Sequence, residues 1–186
     1  MSQDTALFRD ENQARASDPD ASAWVSANAG TGKTAVLVRR VLRLLLAGVE
    51  PERILCLTYT KNAAAEMENR LLKELANWAT DSTEGLRKRI EALTGAASKP
   101  DLIDRARRLF ARTLEAKGGL KIYTIHGFCE RVLQRFPLEA GIAPNFGVLD
   151  GREATLLRSE AFDTIITRIA ADSDSQPGEA LATVLG

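Results

Sequence analysis

Only two cysteines, Cys56 and Cys129, occur in 186 residues. Each lies inside an apolar segment, which predicts buried free thiols in a reducing compartment rather than a disulfide-built scaffold. An excess of charge of one sign is also lacking, because 25 Lys and Arg balance 25 Asp and Glu. Global charge therefore argues neither for nor against a nucleic-acid partner, and local charge must decide. No apolar run reaches membrane-spanning length; residues 41–46 are interrupted by Arg43 and read as part of an amphipathic helix. The start of the chain is acidic and polar rather than basic then apolar, so no signal peptide is visible. Internal repeats and low-complexity tracts are missing too. What remains, 45% hydrophobic and 27% charged, suits a soluble protein with one sizeable core, alone or with a small appendage.

The densest information lies in residues 23–34, Ala-Trp-Val-Ser-Ala-Asn-Ala-Gly-Thr-Gly-Lys-Thr. They read as a strand running into a phosphate-binding loop and then a helix. The pattern is G-x-x-x-x-G-K-[ST], with Ala27 in the first glycine slot. Gly30 and Gly32 permit a tight turn that brings backbone N–H groups from Ala29 to Thr34 against phosphate oxygens. Thr31 and Asn28 complete the loop. Lys33 supplies a point charge to the outer phosphates, and Thr34 offers a hydroxyl to Mg²⁺. The following helix aims its positive end at the same anion.

Elsewhere the pattern is mostly helical. A short helix is expected over 11–17 and a strand over 23–26. A helix follows over 33–47, ending at Gly48, with Val36, Leu37, Val41, Leu44 and Leu45 on its apolar face and Arg39, Arg40 and Arg43 pointing elsewhere. Residues 54–58 form a continuous apolar run, the signature of a strand buried on both faces of a parallel sheet. Strand, helix, strand at this spacing makes a βαβ unit. Helices are expected over 63–79 and, within 81–117, on either side of a breaker at 94–100. That segment is locally basic, with Arg87, Lys88, Arg89, Arg105, Arg107 and Arg108. Gly118-Gly119 breaks the chain. A strand over 121–124, helices over 125–136, 152–171 and 179–185, an extended run within 141–150 and a polar loop over 172–177 complete the reading.

Two further segments open helices at strand ends. Thr58-Tyr59-Thr60-Lys61-Asn62 lies at the carboxyl end of the second strand, the ligand-facing edge of an open α/β sheet. Tyr59 can stack on a base, and Thr58, Thr60, Lys61 and Asn62 can contact phosphate or sugar. Taken alone, the segment is a strand-to-helix turn with Thr60 as N-cap. Thr124-Ile125-His126-Gly127-Phe128 has the same placement and carries the only histidine, a residue that on its own is more often a structural hydrogen-bonder than a catalyst. Gln13 precedes the loop at a distance that allows its amide to read an adenine edge, although by default it is a solvated helix residue.

Taken in order, Gln13, Ala-Asn-Ala-Gly-Thr-Gly-Lys-Thr, Thr-Tyr-Thr-Lys-Asn-Ala-Ala-Ala-Glu-Met and Thr-Ile-His-Gly-Phe resemble the amino-terminal half of the first motor domain of UvrD/Rep-type superfamily 1 DNA helicases. The resemblance covers residues 10–150. Within that family, residues 26–34 and 125–137 are most similar to the AddA subunits of AddAB helicase–nucleases. Lys61 after Thr60, where UvrD-type chains usually place Asn, leans the same way and leaves open which of Lys61 and Asn62 meets a DNA backbone. The resemblance implies an α/β fold with a RecA-like parallel sheet flanked by helices and a helical insertion. It implies motor-domain segments at 1–80 and 119–150, an insertion at 81–118 and the start of an accessory domain at 151–186. It further implies ATP and Mg²⁺ as ligands, with Gln13 on adenine. Single-stranded DNA would lie along Thr58, Tyr59, Thr60, Lys61, Asn62, Thr124 and His126, and duplex ends would be the substrate. An AddB-like partner, a bacterial cytoplasmic setting and no membrane association follow from the same resemblance.

Hydrolysis in this family needs an Asp-Glu pair after an apolar strand. The single candidate is Phe146-Gly147-Val148-Leu149-Asp150, with no second acid after it, and Asp150 reads as a helix N-cap. A second motor domain and a nuclease domain have no counterpart either. The expectation is an amino-terminal portion of a longer helicase that binds nucleotide weakly and hydrolyses almost none. The alternative is a self-contained small P-loop nucleotide-binding protein or phosphotransferase, which would need its own second acid and lid.

Overall fold

The computed structural model describes residues 11–28, 30–149, 151–171 and Thr183. The elements expected over 1–10, at Asp150, over 172–177 and over 179–185 fall wholly or largely outside the described residues, as does Ala29. Two compact units are present, one up to Val132 and one from Leu133.

In the first unit, α1 (Glu11–Ala16) leads through an irregular stretch to α2 (Lys33–Leu46). Helix α2 ends where Gly48 takes φ 95°, with Gly48 N donating to Leu45 O and Val49 N to Leu44 O, each at 3.0 Å. This paired arrangement satisfies carbonyls that a helix end would otherwise leave open, and glycine reaches the positive φ without a Cβ penalty. A 3-10 turn, Pro51–Arg53, then feeds β1 (Leu55–Thr58). Helix α3 (Lys61–Thr80) is followed by α4 (Thr83–Thr94) and α5 (Pro100–Glu115), which flank the expected breaker. Strand β2 (Lys121–Thr124) and α6 (Ile125–Arg135) follow, and α6 carries the chain into the second unit.

The core is helical. Val41, Leu42 and Leu45 of α2 pack with Leu71, Leu75 and Trp78 of α3, Leu86 and Ile90 of α4, and Ile103, Ala106 and Leu109 of α5. The three- and four-residue spacings put each set on one helix face. Around this core, Arg105 Nη1 donates to Leu46 O at 3.0 Å, and Arg112 meets the Glu50 carboxylate at 2.7 and 2.8 Å. Arg107 donates to Asp81 O at 3.0 Å and Arg89 to Asp81 at 2.8 Å. The basic segment read from the sequence is thus engaged largely with the protein's own acids and carbonyls.

The described sheet has two strands, β1 and β2, paired in parallel with Leu55 opposite Lys121 and Thr58 opposite Thr124. The chain is therefore an α/β protein, mostly helical, with a small parallel sheet. Three expectations change. Residues 23–26 are extended but form no strand, and Trp24 is 96% exposed; a strand is held by its ladder and by packing on its faces, and these residues have no ladder partner among the described residues. The crossover pairs β1 with β2 through α3, α4 and α5, not residues 23–26 with β1. Finally, β1 is buried on one face only, because α3 packs beneath Cys56 while Leu55 and Leu57 remain exposed.

Side-chain expectations shift too. Cys56 is buried but Cys129 is exposed. On α2, Val38, Leu42 and Leu46 join the buried face and Leu37 does not. In the second unit, α7 (Gly151–Ala171) leaves Leu156, Leu157, Phe162 and Ile165 exposed.

Candidate nucleotide and nucleic-acid site

The loop before α2 has the backbone that phosphate binding requires. Gly30 and Gly32 stand at φ 79° and 88°, in the left-handed region that a Cβ disfavours. Gly32 is the N-cap of α2, and no side chain caps the helix. The first-turn N–H groups thus have no side-chain acceptor, and the helix dipole adds positive potential at the same place.

Lys33 folds back across the loop. Its Nζ donates to Ala27 O and Asn28 O, each at 2.6 Å. Thr31 Oγ1 also donates to Asn28 O, at 2.8 Å. The ammonium is thus held above the turn by two carbonyls, at the mouth of an uncapped helix. An anion there meets a charge already in position. Thr34 is exposed in the first turn of α2, available to a cation.

Gln13 is brought to this loop from 18 residues upstream. Its Nε2 donates to Thr31 O at 3.3 Å, and its Oε1 accepts from Arg39 Nη1 at 3.3 Å. The arginines of α2, read from sequence only as facing away from the core, are what fasten the upstream segment. Arg40 donates to Ala16 O, Asp18 O and Ala21 O, and Arg43 donates to Ser17 Oγ at 2.9 Å. Their spacing on one helix was the available signal, but their targets are backbone carbonyls, which no sequence pattern announces. Between α1, residues 21–27 and the loop lies a cleft of about 810 Å³, lined in part by Gln13, Trp24, Ala27, Thr31 and Lys33.

The second set of residues gathers at the carboxyl edge of the sheet. Thr58 and Thr124 are ladder partners, so the residues that follow each strand emerge side by side. Thr60 Oγ1 accepts from Ala63 N at 3.1 Å and Thr124 Oγ1 from Gly127 N at 3.0 Å. Both threonines therefore satisfy first-turn N–H groups of the helices they precede. Tyr59 is 85% exposed, and Lys61, Asn62 and His126 are also exposed or partly so. Arg131, one residue that sequence reasoning passed over, stacks its guanidinium 4.4 Å from the Tyr123 ring centroid. The described residues contain no group of three or more His, Cys, Asp or Glu arranged to hold a metal.

Residues 8–183 match the family described as the UvrD/REP helicase N-terminal domain. The chain belongs to this family. Among curated relatives, the AddA-type ATP-dependent helicase/nuclease subunit of Enterococcus faecalis is 32% identical over 167 residues, covering 89% of this chain and 12% of the relative. The protein of the same name from Lactobacillus acidophilus is 31% identical over 169 residues, 90% of this chain and 12% of the relative. That from Desulforudis audaxviator is 35% identical over 142 residues, 75% of this chain and 10% of the relative. The chain thus spans only 10–12% of the length of these relatives. The loop, Gln13 and the two strand-end segments all lie inside the UvrD/REP match.

Proposed function

We propose that this chain is the nucleotide-holding, amino-terminal portion of an ATP-dependent DNA helicase of the AddA helicase/nuclease type, acting in double-strand break repair. The observation that carries the reading is Lys33, held over an uncapped helix N-terminus by Ala27 and Asn28 carbonyls. In this reading the first-turn N–H groups and Lys33 bind the triphosphate, Thr34 supplies one oxygen to Mg²⁺ and Gln13 reads adenine. The metal would screen the charge on the outer phosphates. Residues 27–34 form the cradle, the remaining sheet completes a RecA-like fold, and the domain division stated from sequence applies.

The exposed edge formed by Thr58, Tyr59, Thr60, Lys61, Asn62, Thr124 and His126 would take single-stranded DNA. Tyr59 offers a stacking face, and Lys61 and Asn62 offer phosphate contacts. The parent protein would act at duplex ends in the bacterial cytoplasm with an AddB-like partner and an associated nuclease activity. Neither described strand ends in a carboxylate, since β1 runs into Tyr59 and β2 into Ile125. The 186-residue chain would therefore bind ATP without hydrolysing it appreciably.

Titration with a fluorescent ATP analogue in the presence of Mg²⁺ tests the first half. Binding that vanishes in Lys33→Ala is expected, and unchanged binding in that variant would remove the loop from the site. Anisotropy of a labelled dT oligonucleotide tests the second half, with Tyr59→Ala expected to weaken binding several-fold. Robust DNA-stimulated hydrolysis by the 186-residue chain would overturn the binding-only reading.

A further inference from the structure

A second cleft, of about 950 Å³, opens between α2, α3 and α4, on the helical layer rather than at the strand ends. Its floor is apolar, formed by Val38, Leu42, Trp78 and Leu93. All four are buried, and Trp78 is among the largest buried side chains of the protein. Its rim is cationic. Arg39, Arg70, Lys73, Lys88 and Arg89 line the cleft against two carboxylates, Glu74 and Asp81.

Both of those carboxylates are committed to Arg89, Asp81 at 2.8 Å and Glu74 at 3.9 Å. Arg70 pairs with Glu66 and Lys88 with Glu84 at 3.7 Å, with every partner more than half exposed. Lys73 takes part in none of the ion pairs among the described residues. Exposed pairs of this kind are individually weak, so an incoming carboxylate can replace their partners at little cost. The cleft thus offers positive potential around an apolar floor.

We propose that this cleft docks an acidic peptide segment of a partner protein, carrying an apolar anchor side chain. The charge complementarity selects an anion. The apolar floor selects a peptide over a nucleic acid, whose phosphate backbone has no group to place against Val38, Leu42 and Leu93. The anchor enters between α2 and α4, over the Trp78 ring, while carboxylates on either side of it meet Lys73, Lys88 and Arg70. Such pairing of a buried anchor with a charged rim is how compact interfaces combine affinity with partner choice.

The sequence holds two tryptophans, Trp24 and Trp78. In a Trp24→Phe background, Trp78 becomes the single indole reporter and sits in the cleft itself. The probe is an acetylated Asp-Glu-Leu-Asp-Glu-Phe peptide, with a lysine-for-acid version as control. A saturable change in Trp78 emission is expected with a Kd below about 100 µM, a binding free energy of roughly 5.5 kcal/mol. The exposed pair Lys73→Glu and Lys88→Glu should weaken it at least tenfold while leaving the circular dichroism melting curve in place. No saturation up to millimolar peptide, binding that survives the charge reversal, or equal binding of the lysine control would each overturn the proposal. Displacement of the peptide by a dT oligonucleotide at lower concentration would assign the cleft to nucleic acid instead.

Discussion

Thr58 and Thr124 face each other as the last ladder partners of β1 and β2. The two residues are 66 positions apart in the chain, with α3, α4 and α5 between them. Parallel pairing in this register means that both strands stop at one edge. Each is followed within two residues by an exposed side chain of the candidate nucleic-acid surface, Tyr59 in one case and His126 in the other. Helices start immediately beyond, so the edge also receives two helix N-termini.

Those N-termini depend on hydroxyl caps. Thr60→Ala and Thr124→Ala should each destabilise the fold by about 1 kcal/mol, the usual cost of losing a threonine N-cap. Urea denaturation checks this, and replacement of either threonine by Ser should recover most of the loss. A Thr60→Ala variant as stable as the parent would mean that the 3.1 Å bond to Ala63 N contributes nothing.

Arg40 ties three carbonyls of the upstream segment to α2. Arg40→Ala leaves those acceptors without their charged donor, an effect on the order of 1–3 kcal/mol. Amide hydrogen exchange over residues 11–21 should accelerate markedly, while exchange in α3 and α5 stays unchanged. Because Gln13 rides on that segment, affinity for an ATP analogue should fall as well. Uniform exchange rates across parent and variant would show that the clasp does not hold the segment.

The two thiols should behave oppositely. Cys129 is exposed and should react with a maleimide at neutral pH within minutes, whereas Cys56 should react only on unfolding. Burial pushes the Cys56 thiol up from its ordinary 9.0 to about 11. The raised value means that this site's contribution to stability is complete below pH 9 and is lost as pH climbs through 11. Comparing urea midpoints at about pH 8 and about pH 10.5 should reveal an alkaline loss on the order of 2 kcal/mol that Cys56→Ala lacks.

Gly85 sits against the Asp81 carboxylate, which a Cβ would strike. Asp81 is held there by Arg89 and by Ser82 N at 2.8 Å. Gly85→Ala would ordinarily stabilise a helix by up to about 1 kcal/mol. Here thermal melting should show a loss instead. The Arg89 hydrogen bond holds the Asp81 carboxyl below its ordinary 3.8. Its support is therefore present above that value and disappears as pH falls below it, so the Gly85→Ala deficit should shrink in acid.

Much of the architecture was legible from residue order. Gly95 takes φ 74° as the C-cap of α4 and Pro100 opens α5, so the breaker expected over 94–100 is the real one. The strand over 121–124 and the Thr60 cap were readable because a few residues and their immediate neighbours specify each. The loop of residues 27–34 was readable for the same reason, since positive φ at Gly30 and Gly32 is a local demand. Pairing was not readable. Residues 23–26 have strand composition, yet a strand exists only where a neighbour supplies its ladder. The exposure of Cys129 and Leu37 was hidden for a related reason: apolar periodicity says which residues share a face, not whether anything covers it.

By itself, then, the sequence determined the helix boundaries, the glycine turns, the phosphate-loop chemistry and membership of the UvrD/REP family, all of which rest on short-range geometry or residue order. Tertiary structure alone decided that Thr58 meets Thr124, that Gln13 meets Thr31 and that Arg40 clasps three distant carbonyls. It also decided that a cationic cleft opens over Trp78. Each of these joins groups far apart in the chain, and only packing of the helical core brings them within bonding distance.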